Sequence, residues 1–563
     1  MLRDLVDPAL FTDSPTGLAG QHTYRYREKR NMIIGISGSF VADSEGLQYV
    51  FDLILNTLAS SVGDRVIRLP TTYRRANKEH RARMAREFLS TVDVVVGLLD
   101  PVILSERLLF PRKPPCVILA LGYFPRGALD FEECAQYLST RDTVICNCSA
   151  DMELVRQFLP AASRGFISFP CADIFFESST SCEQARAEFD IPLTSPVLLY
   201  TGRLTLEKNV HTLFRLFAAV RAYHPKAELI LAGKVWNNPF YDLNIEPISF
   251  SGTIRRMGKD LGIEQHVHLL GNLSRAQLAK LYKAADLYVT MSLHHDENFG
   301  ISPVEAMASS LPVIATSWGG FRDTVVDGVT GHHVPVAVSL QSPTIDWPFA
   351  LHAVRSLLND ENARKLMGAA GRVRALSEFT EERFRLRFLQ VVHETASAEG
   401  EADYLVPSAF ADGLWAHRRR GPYKENREGR ELYSSMIGRY AAPIDALSTD
   451  HLAIAAPCSL DGDVLRIEHP LLIGKYRIPS ALRCTVASVL DSFSHFAVLR
   501  SIDFDPQLQV NLHETITWLS EVGALIATSA KSSDTSLIRS PFREPLLRER
   551  DFISDVAVVE WKS

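Results

Sequence analysis

Short apolar runs alternate with stretches of helical periodicity along this chain, and the alternation occurs twice. In the first half, NMIIGISGSF (31–40), VDVVVGLL (92–99), PCVILALG (115–122) and DTVICNCS (142–149) are apolar on successive residues. Such runs suit strands covered on both faces, as in a parallel sheet. Between the first two lies SEGLQYVFDLILNTLA (44–59), with Leu47, Val50, Phe51, Ile54, Leu55 and Leu58 at helical spacing. The pattern predicts an α/β domain with a parallel sheet.

The second series starts near residue 195. PVLLYTG, AELILAG, HVHLLGNL, DLYVTMS, LPVIATS and GHHVPV read as strands. VHTLFRLFAAVRAY (210–223) presents Val210, Leu213, Phe214, Phe217 and Val220 on one helical face, and SRAQLAKLYKAA is a helix with Ser274 as N-cap. TEERFRLRFLQVVHETA (380–396) reads as the closing helix of this unit, capped by Thr380 with two glutamates at its positive end.

From about 399 the texture changes to a basic, glycine-bearing linker, DGLWAHRRRGPYKENREGRE. Helical patterns return in IPSALRCTVASVLDSF and in VNLHETITWLSEVGALIAT, which ends as a strand. The expected domains are 1–190, 191–398, a linker over 399–439 and an accessory domain over 440–563. That partition fits a chain of 563 residues, too long for a single core.

Composition removes several function classes. A net charge of −6 carries no broad basic field, which argues against bulk nucleic-acid binding. The eight cysteines form no C-x-x-C pair and read as reduced, mostly buried thiols. No apolar run approaches the ~20 residues that span a bilayer. MLRDLVDPALFTDSPTG also lacks the apolar core of a signal peptide, so the expected location is cytoplasmic, with peripheral membrane contact still open.

Chemistry concentrates in HHDENFGISPVEAMASS (294–310). Ser302 before Pro303 reads as a helix start, and Glu305 then completes an S-x-x-E capping box. The loop before it, with Glu297, Phe299, Gly300 and Ile301, leaves the carboxyl end of a strand, where open α/β sheets place ligands. Amides at that helix start favour a phosphate. Arg203 and Lys208, in TGRLTLEK at the end of a neighbouring strand, suit a diphosphate. Taken alone, that pair reads equally as solvated surface cations.

YTGRLTLEKN, LLGNLSRAQLAKLYKAADLYVTMS and ENFGISPVEAMASSLPVIATSWGGFRDTVVDGVTGHHV together resemble the donor half of retaining glycosyltransferases with the GT-B fold. That group includes glycogen synthases, sucrose synthases and many bacterial mannosyl- and glucosyltransferases. Its two glutamates with seven residues between them are matched by Glu297 and Glu305. The close resemblance covers about 195–340, and a looser one reaches back to residue 32. It implies two Rossmann-like parallel-sheet domains facing a cleft, with the extra C-terminal domain beyond them.

What the resemblance implies about chemistry is specific. A glycosyl unit passes from a nucleotide-diphosphate sugar, a UDP-sugar favoured, with retention and with no metal or cofactor. Arg203 and Lys208 would stabilise the leaving diphosphate, Glu297 would bond sugar hydroxyls and Glu305 the ribose. Gly46, Gly202, Phe299, Gly300 and Ile301 would line the donor site, and Asp173 in ISFPCADIFF would mark the crossover into the second domain. One departure stands out: VILALGYFPRGAL has no histidine where many relatives grip the donor sugar.

The acceptor is expected on the first domain. Arg74, Arg75, Lys78, Arg81, Arg83 and Arg86 in TYRRANKEHRARMAREF read as a solvated helix face, or as a surface for an acidic acceptor or an anionic membrane. Residues 440–563 resemble winged-helix modules and could recruit a peptide or protein; no nucleic acid is expected, since HETITWLSE has no basic face. Two other classes stay open: a catalytically silent nucleotide-sugar-binding module and a winged-helix regulator.

Overall fold

The computed structural model describes residues 32–38, 45–61, 64–120, 134–158, 163–237, 250–294, 297–338, 343–398, 440–441, 451–468, 473–493, 498–500, 511–528 and 559–560. The chain forms two compact units. One comprises Met1–Ala172 with Ser377–Arg420, and the other Asp173–Leu376 with Gly421–Ser563.

The first unit is built on β1 (Ile33–Ser37), β2 (Arg65–Arg68), β3 (Val94–Gly97), β4 (Cys116–Leu119), β5 (Thr143–Cys146) and β6 (Ser163–Phe166). They form one parallel sheet in the order β2-β1-β3-β4-β5-β6. Every residue of β3, β4 and β5 is buried, which explains their unbroken apolar sequence. The edge strands β2 (RVIR) and β6 (SRGF) carry arginines and lack that signal. The helix Glu45–Ala59 buries Val50, Phe51, Ile54 and Leu58.

The helix Glu381–Ala396 corrects one expectation. Thr380 caps it as expected, its hydroxyl accepting from the Arg383 amide. It belongs to the first unit, however, and not to the second. Its buried face of Phe384, Phe388, Val391 and Val392 serves the first sheet: a Cβ added at Gly165 of β6 would lie 3.5 Å from Val391. Thr395 donates to Thr143 of β5 at 2.7 Å, and Tyr49 donates to Glu381 at 2.5 Å. An amphipathic stripe fixes that one face is buried, not which sheet buries it.

The second unit holds β7 (Val197–Thr201), β8 (Glu228–Ala232), β9 (Val267–Gly271), β10 (Leu287–Thr290), β11 (Val313–Thr316) and β12 (Gly331–Val334). These also pair in parallel, in the order β12-β11-β10-β7-β8-β9. The order reverses between β7 and β10, so the loops leaving those two strands diverge around a crevice at their carboxyl ends. An antiparallel pair, β13 (Val336–Val338) and β14 (Pro343–Ile345), follows β12.

The C-terminal part of this unit contains the two expected helices, at Arg483–Ser492 and Leu512–Glu521. It also contains β15 (His451–Ile454), β16 (Cys458–Asp461), β17 (Val464–Glu468), β18 (Ile473–Arg477), β19 (Val498–Arg500), β20 (Leu525–Ala527) and β21 (Val559–Glu560). They make a three-stranded sheet, β19-β15-β20, and a four-stranded one, β16-β17-β18-β21. The strand after the second helix is β20, as read from sequence, but it pairs with β15 rather than forming a hairpin wing. Among the described residues the winged-helix expectation is thus met in its helices and not in its sheets.

This part is fastened to the six-stranded sheet of the same unit and its helices. Arg215 pairs with Glu468 at 2.7 Å with both side chains buried. The Trp347 indole donates to the Ile454 carbonyl at 2.8 Å, and Thr528 donates to Asp346 at 2.8 Å. The helix Val210–Tyr223 is therefore buried nearly all round, well beyond the face its periodicity marked.

All eight cysteines are free, and five of them are buried. No helix among the described residues is long and apolar enough to cross a membrane. The lead-in 1–31, the linker 399–439 and all of GYFPRGAL lie outside the described residues.

Candidate active site

The loops leaving β7 and β10 bring the sequence-singled residues together. After β7 the backbone passes through Gly202 (φ 138°) and a turn ending at Asn209, which is in the left-handed region (φ 54°). RLTLEKN is not a polar surface loop: Leu204, Thr205, Leu206, Glu207 and Asn209 are all buried. Anchoring those side chains fixes where Arg203 and Lys208 leave the backbone.

Lys208 reaches across to the β10 loop and donates to Glu297 Oε2 at 2.5 Å. The Ser292 hydroxyl donates to the same oxygen at 2.7 Å. Burial alone would raise the Glu297 carboxyl, but the charge and hydrogen bond of Lys208, with His294 and Ser292, leave it below the usual range. Arg203 pairs with Glu207 at 3.3 Å and keeps about a third of its side chain exposed (34%). Glu207 also faces His294 Nε2, at 3.2 Å. Both cations therefore converge on residues 292–297 through a carboxylate each.

The helix Ile301–Ala308 begins two residues earlier than the sequence suggested. Gly300, at φ 87°, is its N-cap, and Ser302 is already helical. A proline in the first turn costs no backbone hydrogen bond, so Pro303 tolerates this register. The Ser302–Glu305 capping box does not form. Glu305 instead accepts from the Tyr282 hydroxyl at 3.0 Å, and Tyr282 lies 2.6 Å from the Thr201 hydroxyl at the end of β7. Burial pushes the Glu305 carboxyl up to about 7, against lowering by the Tyr282 hydrogen bond and by the charge of Arg275.

The amides of Gly300, Ile301 and Ser302 have no acceptor among the described residues. They form an open anion-binding edge beside the Lys208–Glu297 pair. Phe299 is buried and packs against Gly320, where an added Cβ would come within 2.3 Å of the Phe299 nitrogen. The Gly202 amide is committed to the Ala232 carbonyl at 2.9 Å, so that residue contributes backbone shape rather than a donor. Gly46 lies at the second position of the helix Glu45–Ala59 in the first unit, and Asp173 opens the second unit. Within the second unit the structure thus gathers Arg203, Lys208, Glu297, Gly300, Ile301 and Glu305.

Sequence reasoning missed Glu207, Tyr282, Ser292 and His294. Glu207 stood inside the quoted TGRLTLEK, but nothing in one sequence marks its carboxylate as buried. Tyr282 occupies a helical position that reads equally as core.

Comparison with known proteins places this geometry. Residues 181–374 match the family described as "Glycosyl transferases group 1". A D-inositol 3-phosphate glycosyltransferase of Corynebacterium kroppenstedtii is 31% identical over 230 residues, covering 40% of this chain and 46% of that protein. A lipopolysaccharide 1,2-N-acetylglucosaminetransferase of Salmonella typhimurium is 28% identical over 185 residues, covering 33% and 46%. The chain spans about half the length of the curated relatives it matches. Among solved structures, a glycosyltransferase from Rickettsia africae ESF-5 aligns over 66% of this chain and 100% of its own, with TM-score 0.50 and 15% identity, a likeness of fold.

Proposed function

From the match of residues 181–374 to the group 1 glycosyl transferases, we propose that the chain moves a glycosyl unit from a nucleotide-diphosphate sugar to an acceptor, with retention. The observation that carries the reading is the convergence of Arg203 and Lys208 on the Glu297 loop, which leads into the amides of residues 300–302, without acceptors among the described residues. The difficulty of such a transfer is departure of a diphosphate while positive charge grows on the sugar ring. Fixed cations and amides answer it, because they are already oriented when charge develops.

In this reading the diphosphate lies within reach of both cations, which keep their carboxylate partners Glu207 and Glu297. Glu297, kept ionised by Lys208, accepts from sugar hydroxyls and offers negative charge to the ring. Glu305 accepts from the ribose. No metal or other cofactor is assigned a role, and a UDP-sugar is the favoured donor. The acceptor is proposed to be anionic. Arg74, Arg75, Lys78 and Arg83 are exposed on and before the helix Lys78–Leu89, and relatives are named for acting on inositol phosphate and lipopolysaccharide. Cytoplasmic location remains part of the proposal.

The test is release of nucleoside diphosphate from a panel of nucleotide sugars. Arg203→Ala should lower turnover on the order of a hundredfold, as loss of one transition-state donor does. An Arg203→Ala enzyme that turns over donor at the wild-type rate would remove its assigned role. A chain that binds nucleotide sugars but never releases the diphosphate would instead favour the silent binding module.

A further inference from the structure

The loop that carries Glu297 is held from behind by a residue outside the matched segment. Tyr440 is fully buried. Its carbonyl accepts from the Gly319 amide at 2.7 Å, and its ring lies against Trp318 with centroids 5.8 Å apart. Ala441 forms an antiparallel bridge with Trp318, and its carbonyl accepts from the Arg322 guanidinium at 3.0 Å.

The residues that Tyr440 grips are the ones that fix the loop. The Trp318 indole donates to the His294 carbonyl at 2.9 Å, and the Gly320 amide donates to the Glu297 carbonyl at 2.7 Å. Gly319 (φ 50°) sits between the two layers. A Cβ there would come within 2.1 Å of the Glu297 carbonyl oxygen and 2.9 Å of the Tyr440 ring. One glycine thickness separates Tyr440 from the Glu297 backbone.

We propose that Tyr440 is a positioning residue for the Glu297 carboxylate, acting through Gly319 and Trp318. The segment Tyr440–Ala441 then belongs to the donor site, although it lies beyond residues 181–374 and was read from sequence as the edge of an accessory domain. The kinetic consequence rests on the transferase reading above; the mechanical one rests on the contacts alone. A displacement of about 1 Å at such a loop can cost on the order of a hundredfold in rate. It should appear in kcat/KM, because Lys208 bonds Glu297 and Trp318 holds the His294 carbonyl, so the cation contacts meet the loop that Tyr440 braces.

The experiment is hydrogen exchange on the full chain, with donor kinetics alongside, for wild type, Tyr440→Ala, Tyr440→Phe and Arg322→Ala. In Tyr440→Ala, peptides covering 297–300 and 317–322 should exchange roughly tenfold faster or more, while the β7 peptide 197–201 stays as in wild type. Tyr440→Phe, which keeps the ring and the carbonyl, should restore slow exchange. Arg322→Ala, which removes the clamp on Ala441 and keeps the Tyr440 ring, should give an intermediate rate and carries the test if Tyr440→Ala does not fold. Unchanged exchange over 297–300 in Arg322→Ala and in any folded Tyr440→Ala overturns the proposal. So does uniform acceleration across the second unit, which would mark Tyr440 as core packing only. If wild type releases no diphosphate from any nucleotide sugar, the transferase reading falls, and the exchange data still decide the positioning claim.

Discussion

Glu297 and Glu305 sit on one loop and helix start, yet their surroundings drive them in opposite directions. Burial acts on both, but Glu297 has the Lys208 ammonium against it and stays ionised, whereas Glu305 has a neutral tyrosine hydroxyl and rises to about 7. If Glu305 accepts from the ribose, it must be ionised to take hydrogen bonds on both oxygens. Its folded value lies above the ordinary one, so the free enzyme holds this proton up to about pH 7 and loses it above. Donor kcat/KM, which reports the free enzyme, should therefore climb about tenfold per pH unit below 7 and level off above it. In Glu305→Gln that limb should vanish. A Gln variant with the same rising limb would assign the titration to another group.

At the scale of elements, the site depends on a helix that starts where only glycine fits. Gly300 combines φ 87° with a wall: an added Cβ would meet the Phe321 ring at 2.6 Å. Gly328 has a similar φ of 71° but nothing within 4 Å of that position. Gly328→Ala should thus cost only backbone strain, about 1–2 kcal/mol, while Gly300→Ala should cost clearly more and also lower turnover. Urea unfolding of both variants checks this, and equal losses would mean that the helix start yields to the added methyl. The central strands were legible because burial on both faces leaves nothing but apolar residues, as in VVVG and TVIC. β2 and β6 were not, since edge strands admit arginine. Ser302–Glu305 looked like a capping box because the spacing is right. The structure spends Glu305 on Tyr282, a partner twenty-three residues away that local spacing does not reveal. Arg203, Lys208 and Glu297 could be read because their loops leave adjacent strands at the point where strand order reverses. Glu207 and His294 could not, because what marks them is burial.

For the molecule as a whole, the second unit is more than a parallel sheet with an appendage. The Arg215–Glu468 pair, the Trp347–Ile454 bond and the Tyr440 brace join the C-terminal part to the sheet β7–β12 through buried polar contacts. Such contacts are costly to expose, so this unit should behave as one folded body. The helix Glu381–Ala396 ties the later chain back to the first unit, and the polypeptide therefore visits the two units alternately. What would unite these features in function is the proposed diphosphate site. Titration calorimetry with UDP, GDP and ADP against their nucleosides reads that claim directly, in wild type, Arg203→Ala and Lys208→Ala. Each charge-assisted hydrogen bond contributes about 1.5–3 kcal/mol, so the preferred diphosphate should bind wild type at least roughly tenfold tighter than its nucleoside. Each variant should lose much of that difference. Equal affinity of nucleoside and diphosphate for wild type, or a preference that survives both substitutions, would contradict the account.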